Sequence, residues 1–395
     1  MGRFPVCYEH AILEEISALE RHGIRSRIIG FHPSGETLDP EFSHLADSVD
    51  YLDAGASRRP LISRVRSLVS ALLAGWLRPS DFRNVLRVSD IVRRAHHRIL
   101  IRQGPPDVVH AQFGHLGLLA LPVAQSEKIP LVVSFRGRDV LLIQQAPARA
   151  REALFGYASR VFARSEDMRQ DLLRLGCAAG KLFVLPSGIN VRSIPFRERT
   201  HPGAGDPVIL LMVGRLVPKK GMDDALRALA RCRPGPVLTI LGDGPEKDRL
   251  LQLHRELGHR HTVVVGGPTV HWGIYEGMLS GHIFLLPCKT APDGEKEGVP
   301  NAIKEAQATG MPVLSTRHAG IPECVEHGGS GLLCEEGDVD GLARNLEELL
   351  AHPERWAAMG RRGRELMEER YDLARLAPEL ARHYHDIVEG HEAAN

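Results

Sequence analysis

The chain lacks most of what would tie it to a membrane core, a disulfide frame or a nucleic acid. No apolar run approaches the roughly 18–20 residues that a spanning helix needs. The N-terminus soon turns polar, so no secretory leader is visible. Aromatic residues make up 5% and the net charge is +1. That removes the global basic excess expected of a nucleic-acid binder. Six cysteines (Cys7, Cys177, Cys232, Cys288, Cys324, Cys334) are scattered without a C-x-x-C pair. Such spacing suits reduced packing cysteines better than a disulfide frame or a zinc site. The chain reads as cytoplasmic, with no short internal repeat and no low-complexity tract.

What is there is an ordinary globular composition, 43% apolar and 25% charged, over 395 residues. That length is too great for one comfortable core and implies two domains. From about residue 205, strand and helix alternate. "PVILLMVG", "PVLTILGDG", "HTVVVGG", "HIFLLPC" and "PVLST" read as strands with helices between them. The first half is looser, with strands expected in "SRIIGF", "DVVHAQF", "PLVVSF", "RVFARS" and "KLFVLPSG". The order implies an α/β fold of two doubly wound parallel sheets. Residues 1–195 form the expected first domain, 205–370 the second, and 371–395 a helix returning to the first. "FRERTHPGAGDP" (196–207) is the expected linker. Open sheets of this kind bind ligands beyond the C-terminal ends of their strands.

"EGVPNAIKEAQATGMPVLST" sets Glu297 and Glu305 eight positions apart. Pro300 fits a first helical position and Gly310 a helix stop. Glu297 then lies on the loop before a helix, and Glu305 in its second turn. Backbone N–H groups near Gly298, Val299 and Asn301, around Pro300 (which has none of its own), mark a helix N-terminus, which favours an anion. A neighbouring carboxylate can accept from sugar hydroxyls. The spacing alone also suits an ordinary solvated helix with a proline at its start. "DVD" at 338–340 matches a metal-binding D-x-D, but Asp338 or Asp340 equally well caps the following helix.

Taken together, this stretch, "GRLVPKKG" (214–221), "LGDGP" (241–245) and "LPSGIN" (185–190) resemble the retaining glycosyltransferases of family 4 with the GT-B fold. The resemblance is nearest to the branch that builds colanic-acid-like exopolysaccharides, and it covers nearly the whole chain. It implies that Glu297 holds the donor sugar and Glu305 the ribose. It implies that Arg215 and Lys220 meet the donor diphosphate, with Gly244 and a glycine loop at Gly2 also donor-side. It implies no cofactor and no metal.

The chain departs from the family pattern at three places. Relatives carry a strand before "RFPVCYEHAILEEISALERHG", so the first strand of the N-terminal sheet is expected to be missing here. Relatives carry His-Gly-x-Asp where this chain has Arg136, Gly137, Arg138 and Asp139, and histidine where it has Gln112. Arginine cannot shuttle a proton near neutral pH, but it can clamp a phosphate. His110, Arg136 and Asp139 are the acceptor-side candidates, with a structural role for His110 equally open.

Between residues 58 and 102, eleven arginines face only Asp81 and Asp90, with leucines and valines at helical spacing. This suits a basic amphipathic helix on an anionic membrane surface, or a core-facing helix with a solvated basic face. Nucleic acid fits less well because aromatics are nearly absent there. The expected activity is transfer of a sugar from a UDP- or GDP-sugar to a polysaccharide or lipid-linked saccharide, at the inner face of the cell membrane. The alternatives are a catalytically impaired nucleotide-sugar-binding protein and a GT-B sugar-nucleotide epimerase.

Overall fold

The computed structural model describes residues 3–4, 10–30, 32–33, 40–51, 97, 101–203, 205–233, 235–258, 263–266 and 271–394. The chain divides into two units. Described residues within 1–163, 169–185 and 377–395 form the first, and those within 164–168 and 186–376 the second.

In the first unit, β5 (Val109–Ala111), β6 (Leu131–Ser134), β7 (Arg160–Ala163) and β8 (Leu182–Val184) form a four-stranded parallel sheet in that order. Two short parallel pairs accompany it. They are β1 (Arg3–Phe4) with β3 (His32–Pro33), and β2 (Ile28–Gly30) with β4 (Val49–Tyr51). No strand was expected so early; Arg3 and Phe4 nonetheless pair with His32 and Pro33. The helices are α1 (His10–Glu20), α2 (Gly114–Glu127), α3 (Arg138–Gln145), α4 (Ala148–Tyr157) and α5 (Glu166–Arg174). The first three residues of α5 belong to the second unit. All four residues of β6 are buried, Leu131, Val132 and Val133 in line with a strand covered on both faces.

The second unit is built on β9 (Ile209–Val213), β10 (Val237–Leu241), β11 (Val263–Gly266), β12 (Ile283–Leu286), β13 (Val313–Thr316) and β14 (Gly331–Cys334). All are parallel, in the spatial order β11-β10-β9-β12-β13-β14. Strand order therefore reverses between β9 and β12. That switch point opens the sheet's crevice beyond the ends of these two strands. The helices are α6 (Met222–Leu229), α7 (Lys247–Glu256), α8 (His271–Ser280), α9 (Asn301–Ala308), α10 (Ile321–Cys324), α11 (Val339–Ala351) and α12 (Trp356–Arg370). Leu210, Met212, Phe284, Leu285 and Leu314 are fully buried in the sheet's core. Each such side chain contributes about 1.5–3 kcal/mol by leaving water. The last helix, α13 (Leu373–Ala394), begins in the second unit and from Ala377 belongs to the first. This is the returning C-terminal helix that the sequence suggested.

Two expectations are corrected. The crossing expected at 195–205 falls at Leu185–Pro186, and the one expected at 370–371 falls at Leu376–Ala377. Nor is 196–207 a free linker, for a physical reason. Arg197 N–H donates to the Thr309 carbonyl at 3.0 Å, and Arg199 is 2% exposed. The Arg199 guanidinium donates to the carbonyls of Arg197 and Met278, the latter near the end of α8. Helix-end carbonyls lack intrahelical donors, so a buried arginine satisfies one and fixes the arm.

The arginine-rich segment 58–102 lies outside the described residues except for His97, Ile101 and Arg102, and Gly2 also lies outside them. Arg102 pairs with Glu127 at 3.1 Å. No described helix is long and apolar enough to cross a membrane.

Candidate active site

The loops that leave β9 and β12 flank the switch point, and they carry the charged residues singled out in the sequence. After β9 the chain runs through Gly214 and Arg215 to a single turn at Pro218–Lys220. After β12 it runs from Pro287 through Glu297 to Pro300, which precedes α9. The loops are joined by a backbone bond from Lys289 N–H to the Lys219 carbonyl at 2.9 Å. Lys289 also grips Asp223 and Asp224, in the first turn of α6, at 2.9 and 2.8 Å.

Glu297 lies where these loops meet. Its Oε1 is 2.9 Å from Lys219 Nζ and 3.3 Å from Lys220 Nζ. Lys219 also holds Glu295 at 2.7 Å. Burial would raise the Glu297 carboxyl, but Lys220 and Lys219 outweigh it and hold the group below the usual carboxylate range. Burial would lower Lys219, yet Glu297 and Glu295 hold it above its ordinary value. The backbone of Glu297 is tied as well, its N–H donating to His318 Nε2 at 3.0 Å. Sequence reasoning found Glu297 and Lys220 but missed Lys219, Glu295 and His318. The double lysine of "PKKG" was the available signal for Lys219.

α9 starts one residue later than expected, because Pro300 keeps an extended ψ of 127° and occupies the cap position. The helix has no side-chain cap and no acidic residue in its first turn. Its leading N–H groups and dipole therefore favour an anion arriving beside Gly298, Val299 and Asn301. At its other end the N–H groups of Gly310 and Met311 return to the carbonyls of Gln307 and Ala306, closing the helix at the expected stop. Glu305 sits in the second turn of this helix. Burial pushes its carboxyl up to about 7, against the pull of Lys304 and Lys220.

Arg215 is exposed at the end of β9. Gly244 packs backbone to backbone on the same loop: a Cβ there would lie 2.5 Å from the Leu216 carbonyl oxygen. Leu216 N–H in turn donates to the Asp243 carbonyl at 2.9 Å. Gly244 thus shapes the Arg215 loop from below.

In the first unit, the acceptor-side candidates are already engaged. His110 meets Tyr384 Oη through Nδ1 at 2.5 Å and Ser134 Oγ through Nε2 at 2.8 Å. Asp139 is buried, and its two carboxylate oxygens accept the N–H groups of Gly114 and Arg136 at 2.8 and 2.9 Å. Burial pushes its carboxyl up, and these N–H groups pull it back. Arg136 donates to Glu15 at 3.1 Å and to Gln112 at 2.6 Å. Both Arg136 and Glu15 are nearly buried.

Asp338 is the cap the sequence allowed: its carboxylate accepts Gly341 N–H at 2.8 Å at the start of α11. No group of three or more His, Cys, Asp or Glu side chains able to hold a metal occurs among the described residues. Cys177, Cys232, Cys288, Cys324 and Cys334 are all free and buried.

The comparisons agree with this architecture. The group 1 glycosyl transferase profile matches residues 195–366, and a glycosyl transferase 4-like domain matches residues 8–188. WcaL of Escherichia coli strain K12, named as a colanic acid biosynthesis glycosyltransferase, is 30% identical over 96% of this chain and 97% of its own. A GDP-mannose-dependent α-(1-6)-phosphatidylinositol monomannoside mannosyltransferase of Mycolicibacterium smegmatis is 37% identical over 42% of this chain and 45% of its own. Among solved structures, Anabaena HepE in complex with UDP-glucose superposes with a TM-score of 0.70 at 20% identity, covering 97% of this chain and 96% of that one. The chain belongs to the group 1, family 4-like glycosyltransferases of GT-B fold, and is an enzyme of the hexosyltransferase type.

Proposed function

We propose that the enzyme moves a hexose from a nucleoside-diphosphate sugar to a saccharide or lipid-linked saccharide in exopolysaccharide synthesis, with retention at the anomeric carbon and without a metal ion. The observation that carries this reading is the placement of Glu297. It is held by two lysines at the switch point and sits beside an uncapped helix end. HepE crystallised with UDP-glucose, and the mycobacterial relative is GDP-mannose-dependent, so both bases remain candidates. WcaL's association with colanic acid supports the exopolysaccharide assignment.

Transfer breaks the bond between C1 and the β-phosphate oxygen, and negative charge builds on the departing diphosphate. In this reading Lys220, Arg215 and the α9 N-terminus receive that charge. Preorganised donors of this kind lower the barrier by about 3–4 kcal/mol each. Lys220 stands farther from Glu297 than Lys219 does, so it is the cation freer to turn toward a phosphate. Lys219 then remains to balance Glu297, whose carboxylate accepts from the sugar hydroxyls. Glu305 accepts from the ribose diol. The acceptor oxygen attacks C1 on the face the phosphate leaves, and its proton passes to the departing phosphate oxygen.

The test is product analysis with UDP-glucose and GDP-mannose and a panel of lipid-linked saccharides, with and without EDTA. The expected result is an α-linked product formed equally in both conditions. An epimerised sugar nucleotide, or tight binding without turnover, would contradict the proposal.

A further inference from the structure

We propose that His318 is a positioning residue for Glu297, acting through its backbone and braced by Glu336. This rests on the reading that Glu297 holds the donor sugar.

The argument starts from strand register. β13 and β14 are parallel neighbours, with Thr316 opposite Cys334. Both chains leave the sheet at the same end, so the residues two places further on, His318 and Glu336, come to face each other. His318 Nδ1 lies 2.6 Å from Glu336 Oε1. The other carboxylate oxygen of Glu336 accepts Thr290 N–H at 2.8 Å, in the loop that leads to Glu297. The imidazole is completely buried, and its Nε2 accepts Glu297 N–H at 3.0 Å. The bonding settles the tautomer. Because Nε2 accepts, Nδ1 carries the hydrogen and donates to Glu336.

The backbone around His318 is built for this one placement. Ala319 follows it with φ of 45°, in the left-handed region that non-glycine residues rarely occupy. Such a conformation persists where its surroundings enforce it, and it concentrates at functional sites. Gly320 comes next. A Cβ there would lie 2.6 Å from Val299 Cγ2 and 2.7 Å from Ser165 Cβ, so the His318 loop is pressed against the Glu297–Pro300 loop. Glu297 is therefore fixed at both ends, its carboxylate by Lys219 and Lys220 and its N–H by His318. Loss of the imidazole would orphan a buried N–H and free the peptide to turn. The ion pairs alone do not prevent that, since two lysines can follow a moving carboxylate.

The experiment compares wild type, His318→Leu, His318→Gln and Glu336→Gln. It measures melting temperature, affinity for UDP and for GDP, and the hydrolysis rates of UDP-glucose and GDP-mannose. Leucine fills the space without an acceptor, while glutamine restores an acceptor near Nε2. The expected result is a tenfold or greater fall in kcat for His318→Leu, with nucleotide affinity within threefold of wild type. His318→Gln should recover most of the rate, and Glu336→Gln should fall between. A folded His318→Leu that hydrolyses at the wild-type rate overturns the proposal. So does a nucleotide affinity that falls in step with the rate, because that marks general damage. If His318→Leu does not fold, His318→Gln with Glu336→Gln decides: wild-type rates in both overturn it. Failure of the donor reading is distinct, since wild type itself would then bind and hydrolyse neither sugar nucleotide.

Discussion

The Lys219 ammonium lies 2.9 Å from the Glu297 carboxylate and is the closer of the two cations that hold it. Replacing Lys219 with Met leaves Lys220 to balance Glu297. Lys220 is then held to Glu297 when the diphosphate needs it, and turnover should fall about tenfold, or about 1.4 kcal/mol of barrier. The sign of the pH effect follows from the same geometry. Removing a cation lets burial raise the Glu297 carboxyl, so the acidic limb of kcat/KM should move to higher pH. A pH–rate profile of Lys219→Met against wild type measures both.

Glu305 couples stability to pH. Its carboxyl is pushed up from 4.5 to about 7 by burial. A raised carboxyl favours the folded state below its unfolded value, and that contribution is lost as pH rises through about 7. The shift corresponds to about 3 kcal/mol. Urea unfolding at pH 5 and pH 8 should therefore show a smaller loss of stability for Glu305→Gln than for wild type, by an amount of that order.

The Arg136–Glu15 pair predicts asymmetric losses. Removing one partner of a nearly buried pair leaves an uncompensated charge and costs about 3–5 kcal/mol. Glu15→Ala should therefore melt well below wild type. The double variant Glu15→Met with Arg136→Met should recover much of the loss. Thermal melts of the three proteins decide it.

Much of the framework was legible because it is local. The runs "ILLMV" and "IFLL" are apolar at every position, as strands covered on both faces favour, and form β9 and β12, while "VLST" begins apolar and forms the buried β13. Pro300 and Gly310 bracketed α9 to within a residue. The Lys219–Glu297 pair and the His318–Glu336 contact were not legible. The first depends on β12 lying beside β9, and the second on the β13–β14 register. Both are long-range facts that no window of sequence contains. Arg199 was misread for a related reason: in sequence it is one charge in a polar stretch, and only the carbonyls it reaches in the fold make it a core residue.

Asp338 should prove structural. Its carboxylate caps α11 through Gly341 N–H, so Asp338→Ala should cost about 1 kcal/mol of stability. Transfer should be unchanged in that variant, in the presence or absence of EDTA. A melting curve and a rate assay on the same sample check both statements.

The most direct test of the donor site is calorimetric titration of wild type, Glu297→Gln and Glu305→Gln with UDP, GDP and ADP. One nucleotide should bind wild type. Glu305→Gln should weaken that binding about tenfold, or about 1.4 kcal/mol. Glu297→Gln should bind the bare nucleotide as wild type does, yet fail to turn over its hexose conjugate. A wild type that binds none of the three, or a Glu305→Gln that binds equally well, would contradict the assignment of these two glutamates.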